Sequence, residues 1–113
     1  MPRVGPEAGM SSADDASLFE LFDVLGRRWA LRVIWELDTE ALTYRELAAR
    51  VPDMSTSVLT DRLRELRAAN LVEHHRGTGY RLTGLGEQLL DHLERLRVWA
   101  LQVDFASGAS ERQ

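Results

Sequence analysis

The chain of 113 residues contains no cysteine. That absence excludes disulfides, a thiolate nucleophile, cysteine-ligated zinc and any thiol-based redox sensing. Lysine is missing too, so all 14 basic residues are arginine. No apolar run approaches the roughly 18 residues of a membrane helix, and Met1 to Ala13 lacks the continuous apolar core of a secretory signal. The expectation is a cytoplasmic protein with no membrane partner. Catalytic arrangements are absent as well: no glycine-rich loop follows a strand, and no spacing argues for a Ser-His-Asp set or paired carboxylates. An enzyme is not expected. His74 and His75 are neighbours on a predicted strand and project from opposite faces, so they cannot share one metal ion. Asp91, His92 and Glu94 lack ligand spacing. Neither a metal site nor a cofactor is expected.

What is present suits one globular domain with a single core, at 44% hydrophobic and 28% charged residues. Taken whole, a net charge of −4 disfavours a polyanionic partner. Divided along the chain it does not. Residues 1–26 carry one arginine against five acids, residues 27–81 ten arginines against eight, and residues 82–113 three against five. Positive charge is concentrated in the middle, where His74 and His75 also lie. Binding to a polyanion needs a local positive face, not a positive total, so this distribution permits a nucleic-acid partner.

In chain order, residues 1–16 read as a flexible arm, 17–105 as the folded domain and 106–113 as a disordered polar tail. Ser17-Leu18-Phe19-Glu20 has capping-box spacing and predicts a helix to Leu25. Its inner face is Leu18, Leu21, Phe22 and Leu25, with Phe19 elsewhere and Gly26 as a left-handed stop. Arg27 to Asp38 predicts a second helix with Ala30, Val33, Ile34 and Leu37 inside; Trp29, Leu31 and Trp35 extend its apolar surface. Thr43-Tyr44-Arg45-Glu46 is another capping box, opening a helix that ends before Pro52 and turns Tyr44, Leu47, Ala48 and Val51 inward.

Ser55 then caps the helix to which the other elements relate. Leu59, Leu63 and Leu66 share one side; Ser57, Thr60, Asp61 and Arg64 lie opposite, hydroxyls and a guanidinium fork with reach to phosphates and base edges. On an isolated helix a solvated surface is the plainer account of such a face. Two short helices joined by a tight turn form a helix-turn-helix pattern, and that shifts the balance. Asn70 suits the left-handed position closing the second helix, with Leu71 as the apolar contact after it. Leu71 to Arg76, a Gly77-Thr78-Gly79 turn and Tyr80 to Leu82 predict a β-hairpin. Thr83 caps a last helix to about Val103, striped by Leu85, Leu89, Leu93, Leu96, Trp99, Ala100 and Val103. So small a domain cannot cover that stripe and the first helix's extra apolar surface. A dimer follows, with Leu18, Phe19, Phe22, Leu89, Leu93, Leu96 and Trp99 at its interface.

Together these segments resemble the HxlR family of winged helix-turn-helix regulators, relatives of the MarR-like regulators. The resemblance is carried by Leu25-Gly26-Arg27-Arg28-Trp29 with the apolar helix after it, Thr43 to Leu47, Ser55 to Leu66, Asn70-Leu71-Val72, and Tyr80 to Gly86 leading to Trp99. It implies a mainly α fold with a small β-hairpin, a winged helix-turn-helix domain whose N- and C-terminal helices form the dimer interface. It further implies a homodimeric bacterial transcription regulator, expected here to be a repressor of a palindromic operator. The second helix of the motif would enter the major groove of double-stranded DNA, and the hairpin, the wing, would lie along the backbone near the minor groove. Three features depart from the family. Its frequent sensing cysteine is replaced by Ala13-Asp14-Asp15-Ala16-Ser17, the wing is short and lacks prolines, and Asn70 stands where the family usually has glycine.

On that resemblance, Ser55, Thr56 and Ser57 are expected at a phosphate, where free amides and the helix dipole favour an anion. Thr60, Asp61 and Arg64 are the expected base readers, Asp61 accepting from a cytosine amino group or orienting Arg64 or Arg62. Arg45, Arg62, Arg76 and Arg81 are cast as phosphate contacts, with Thr78 beside them on the wing. Two further readings stay open. One is a winged-helix protein-interaction module that binds no DNA. The other adds a small aromatic or lipophilic effector, held in an apolar pocket of Phe19, Phe22, Trp29, Trp35 and Trp99 at the dimer interface; the same aromatics would otherwise fill the dimer core.

Overall fold

The computed structural model describes residues 12–38 and 40–103. Residues 1–11 of the expected arm and the whole expected tail, 106–113, lie outside the described residues. The elements are helix α1 (Ser12–Leu25), α2 (Ala30–Glu36), α3 (Tyr44–Arg50), α4 (Thr56–Ala68), strands β1 (Val72–His75) and β2 (Gly79–Leu82), and helix α5 (Gly84–Gln102). This is the mainly helical winged arrangement that the sequence implies.

Helix α1 begins at Ser12, so Ser17 lies inside it and caps nothing, and residues 12–16 are helix and not arm. Asp15 stands in the first turn, where the helix dipole favours a carboxylate. Leu21, Val24 and Leu25, spaced for one face, pack against the core. Phe22 does not. It sits about 100° round the cylinder from Leu21, is 53% exposed, and places its ring 6.0 Å from that of Phe19. Gly26 is not the left-handed residue expected; a side chain there would press on the Phe22 carbonyl, which accepts the Gly26 N–H at 2.7 Å. The left-handed residue is Trp29, with φ 77°. That reversal, and not residue 27, starts α2. A tryptophan in this conformation is strained; its ring is held between the core and the Arg28 guanidinium, 5.4 Å from the ring centre.

The capping box before α3 forms as the spacing predicts: Glu46 N–H donates to the Thr43 hydroxyl at 3.1 Å and Thr43 N–H to the Glu46 carboxylate at 2.8 Å. Ser55 caps α4 by accepting from Val58 N–H at 3.2 Å. Asn70, at φ 63°, closes α4 in a Schellman arrangement, with Leu71 N–H donating to Leu66 C=O and Asn70 N–H to Arg67 C=O. Val72 pairs with Leu82 and His75 with Gly79 across the antiparallel hairpin, so Gly79 belongs to a strand and the loop is Arg76-Gly77-Thr78. One pairing was not legible locally. Leu42, in the loop before α3, bridges to Tyr80 through two backbone bonds of 2.9 and 2.7 Å and ties β2 of the wing to the helix-turn-helix.

The core is apolar. Val33, Ile34, Leu37, Leu47, Leu59, Leu63 and Leu66 are at most 2% exposed, and no polar residue is buried among the described residues. Burying each such side chain contributes about 1.5–3 kcal/mol. Outside it, α1 and α5 show apolar surface that this chain leaves uncovered: Phe19, Phe22, Leu85, Leu96, Val98, Trp99, Leu101 and Val103 are all exposed. Leu89 and Leu93, expected in the same outer stripe, turn half inward against the core instead. The sequence reading missed Val98 and Leu101, which face round the far side of α5 from Trp99.

Candidate nucleic-acid interface

Three leucines, Leu59, Leu63 and Leu66, anchor α4 to the core and fix which residues it presents outward. Tyr44 fixes its position along the neighbouring helix. The tyrosine hydroxyl donates to Thr56 C=O at 2.8 Å and meets the Thr60 hydroxyl at 3.1 Å. With the tyrosyl proton on the Thr56 carbonyl, Thr60 donates to Tyr44 and keeps its lone pairs as acceptors toward solvent. Tyr44 had been assigned only to the core by its spacing; its ring packs there while its hydroxyl sets the register between α3 and α4.

Ser57, Thr60 and Arg64 are exposed on the outer face of α4, and Asp61 is partly so. Asp61 forms an ion pair with Arg64 at 3.0 Å, and Arg62 pairs with Glu65 instead. Ser55 is engaged as the cap and also lies 3.4 Å from the Ser57 hydroxyl. Thr56 is exposed beside it.

Two of the arginines expected at phosphates are engaged within the chain. Arg62 lies on the flank of α4 beside Glu65, which faces α1; its side chain is 12% exposed, it donates to Glu65 at 2.6 Å, and its Nε is buried with no hydrogen-bond partner among the described residues. An arginine so enclosed has little left to offer a phosphate. Arg81 donates to Glu73 at 2.8 Å across the hairpin and lines a groove with Asp38, Glu40 and Glu87. That concentration of carboxylates repels phosphate. Glu73 is held below its ordinary value of 4.5, first by the hydrogen bond from Arg81 and then by that from His75 at 3.0 Å. The remaining wing residues, Arg76 and Thr78, are exposed at the tip, Thr78 N–H closing the turn on His75 C=O at 3.2 Å.

Arg67 is the residue that sequence reasoning missed. It is exposed, one turn beyond Arg64, and shares with Arg64, Asn70 and His74 a groove between α4 and β1. Its signal was available: on a helical wheel Arg67 and Thr60 fall on the same flank, whereas Arg62 falls on the other. Among the described residues no ion pair engages Arg45, Arg67 or Arg76, so these three carry the uncommitted positive charge around α4 and the wing. The histidines diverge as expected of strand neighbours: the His74 ring stacks on Tyr80 at 4.4 Å while His75 reaches Glu73. The aromatics proposed for a pocket are spread out within one chain. Trp29 and Trp35 are half-buried against the core, Phe19, Phe22 and Trp99 are exposed, and the cavity beside Trp29 is lined by Leu25, Arg27 and Leu31 and not by the other four aromatics.

Comparison with known proteins gives this geometry its context. The uncharacterized HTH-type transcriptional regulator YvaP of Bacillus subtilis (strain 168) is 29% identical over 86 residues, 71% of this chain and 80% of that protein. The quinone-bound YodB of B. subtilis superposes with a TM-score of 0.72 at 29% identity, covering 77% of this chain and 98% of the other. A possible HxlR-family transcriptional factor from Thermoplasma volcanium GSS1 superposes with a TM-score of 0.65 at 25% identity, over 74% and 81% of the two chains. These are transcriptional regulators and not enzymes. The model of the HxlR-like helix-turn-helix family matches residues 24–105, so the chain belongs to that family and is a transcriptional regulator of the winged-helix type.

Proposed function

We propose that the protein acts in the cytoplasm as a homodimeric repressor that reads a palindromic site in double-stranded DNA. In this reading α4 enters the major groove, Thr60 and Arg64 meet base edges, and the wing follows the backbone with Arg76 at its tip. The observation that carries it is a Ser55-capped helix with the Tyr44-set Thr60 on its outer face, together with exposed Arg45, Arg67 and Arg76 that have no ion-pair partner among the described residues. Two copies are supported by the exposed Phe19 and Phe22 on α1 and Leu96 and Trp99 on α5, too much uncovered apolar surface for one small monomer.

Selection of bound duplexes from a random pool tests site and symmetry together: a dimer yields a palindrome with half-sites about 10 bp apart or a multiple of that. Salt tests the charge. Three uncommitted arginines per protomer, six per dimer, predict a log–log slope near −5, so binding weakens about a thousandfold between 50 and 200 mM salt. Binding without salt dependence, or none at all, rejects the reading in favour of a protein-interaction module. Replacing Phe22 and Leu96 together by Asp should give monomers in sedimentation and abolish operator binding.

Control by a small aromatic or lipophilic effector is part of the same proposal. Its support is the similarity to the quinone-bound YodB and the exposure of Phe22 and Trp99 at the surface assigned to the dimer. With no cysteine, any such ligand would be held without a thiol bond. Tryptophan fluorescence titrated with quinones and other planar apolar compounds tests it; a compound that releases DNA without altering the fluorescence would place the effector elsewhere.

A further inference from the structure

A helix in the major groove and a hairpin at the adjoining minor groove straddle the strand of phosphates that separates the two grooves. In this protein the surface beneath that strand is the groove between α4 and β1, where Arg64, Arg67, Asn70, Glu73 and His74 meet. Most of its charges are already committed. Arg64 is held by Asp61 at 3.0 Å, and Glu73 is offset by Arg81 at 2.8 Å and His75 at 3.0 Å. Arg67 has no ion-pair partner among the described residues, which makes it the cation that the groove has to offer.

Two further side-chain donors flank it. The His74 ring lies against Tyr80, centroids 4.4 Å apart and planes tilted by 35°, and Tyr80 is tied by both its backbone groups to Leu42, so the imidazole has a firm support on one side. Asn70 is the second. At φ 63° its task of closing α4 would be met with less strain by glycine. Asparagine brings an amide with two N–H donors, and no hydrogen bond engages that amide among the described residues. Its backbone is fixed from the other side, because the Thr83 hydroxyl donates to Asn70 C=O at 2.7 Å.

We propose that Arg67, Asn70 and His74 form a phosphate-binding site that grips the DNA strand passing between α4 and the wing. The inference rests on the DNA-reading function above. One guanidinium and two further side-chain donors, supplied by the helix, its cap and the strand, match the several acceptor positions of a single phosphodiester. Contact to the backbone adds affinity for every sequence and aligns the reading helix without choosing a base.

The full chain tests this by fluorescence anisotropy on a 20-bp random duplex and on a selected site, from 50 to 200 mM salt. Asn70→Gly keeps the left-handed backbone and should leave thermal unfolding near wild type while weakening both duplexes about five- to tenfold, with the salt slope unchanged. His74→Phe preserves the stack on Tyr80 and should weaken both duplexes in the same way. Arg67→Ala should reduce the magnitude of the slope by about two per dimer, one for each lost phosphate contact. A single uncharged methylphosphonate at the gripped position should weaken wild type more than the Arg67→Ala variant, which keeps only the Asn70 and His74 contacts there. If wild type binds steeply and both Arg67→Ala and Asn70→Gly bind with its affinity and slope, the site is wrong and the DNA-reading function stands. If wild type binds neither duplex, both fall.

Discussion

Gly77 and Gly79 provide a controlled pair for measuring how firmly the wing is attached. Both have positive φ, 91° and 107°, so alanine at either position is strained by about 1–2 kcal/mol. Their surroundings differ. A methyl group at Gly77 meets nothing within 4 Å, whereas at Gly79 it would occupy the place of the Leu42 backbone carbonyl. Making room there requires pulling Leu42 from Tyr80 and losing the bridge bonds of 2.9 and 2.7 Å, about 1 kcal/mol each. Gly77→Ala should therefore cost about 1–2 kcal/mol and Gly79→Ala about 3–4 kcal/mol. The difference of about 2 kcal/mol corresponds to roughly 8–16 °C in Tm for a domain of this size. Urea denaturation at one protomer concentration measures both costs, since dimer stability depends on concentration. Duplex binding at a temperature where both variants are folded should also be weaker for Gly79→Ala, because its wing has lost its anchor beside α3. Equal costs for the two, within about 0.5 kcal/mol, would refute the claim that the Leu42 bridge anchors the wing.

Arg64→Ala should weaken binding to the selected site by about 1–3 kcal/mol and relax the preference at one base position; equal losses on selected and random duplexes would show that Arg64 reads nothing. Arg62→Ala should lower stability while leaving the salt slope as in wild type, because its guanidinium is spent on Glu65; a slope reduced as by a phosphate contact would contradict its placement. For Glu73, whose folded value is depressed by Arg81 and His75, the stabilisation is present above about pH 4.5 and is lost as the pH falls through the depressed value. Between about pH 5 and 3 the Glu73→Gln variant should therefore lose stability less steeply than wild type, and parallel urea-midpoint curves over that window would remove the wing cluster as the cause.

The elements most legible in the sequence are those specified within a few residues. Thr43 and Glu46 are one turn apart and could satisfy each other's backbone partners wherever the helix lay, and Asn70 with Leu71 closes α4 by bonds to its own last turn. Where local signals competed, the outcome was less readable: Ser17 and Glu20 have the spacing of a cap but are absorbed in a helix that starts at Ser12. Likewise, Gly26 is the residue best suited to a left-handed conformation, yet the left-handed residue of this connection is Trp29 at the start of α2, whose ring gains contacts with the core that offset the strain.

The sequence by itself determined the order of helices, the wing and the face of α4 that is buried, because hydrophobic periodicity and caps are local properties of the chain. Only the tertiary structure decided which arginines remain available to a polyanion. Arg62, Arg67 and Arg81 are alike in sequence, but the first is enclosed beside Glu65 and the last is turned into a groove of carboxylates, leaving Arg67 uncommitted. An arginine's availability depends on burial and on the charges that packing brings near it. For Arg62 the helical wheel marks the flank but not what covers it, and for Arg81 the decisive carboxylates, Asp38 and Glu40, come from residues some forty positions earlier in the chain.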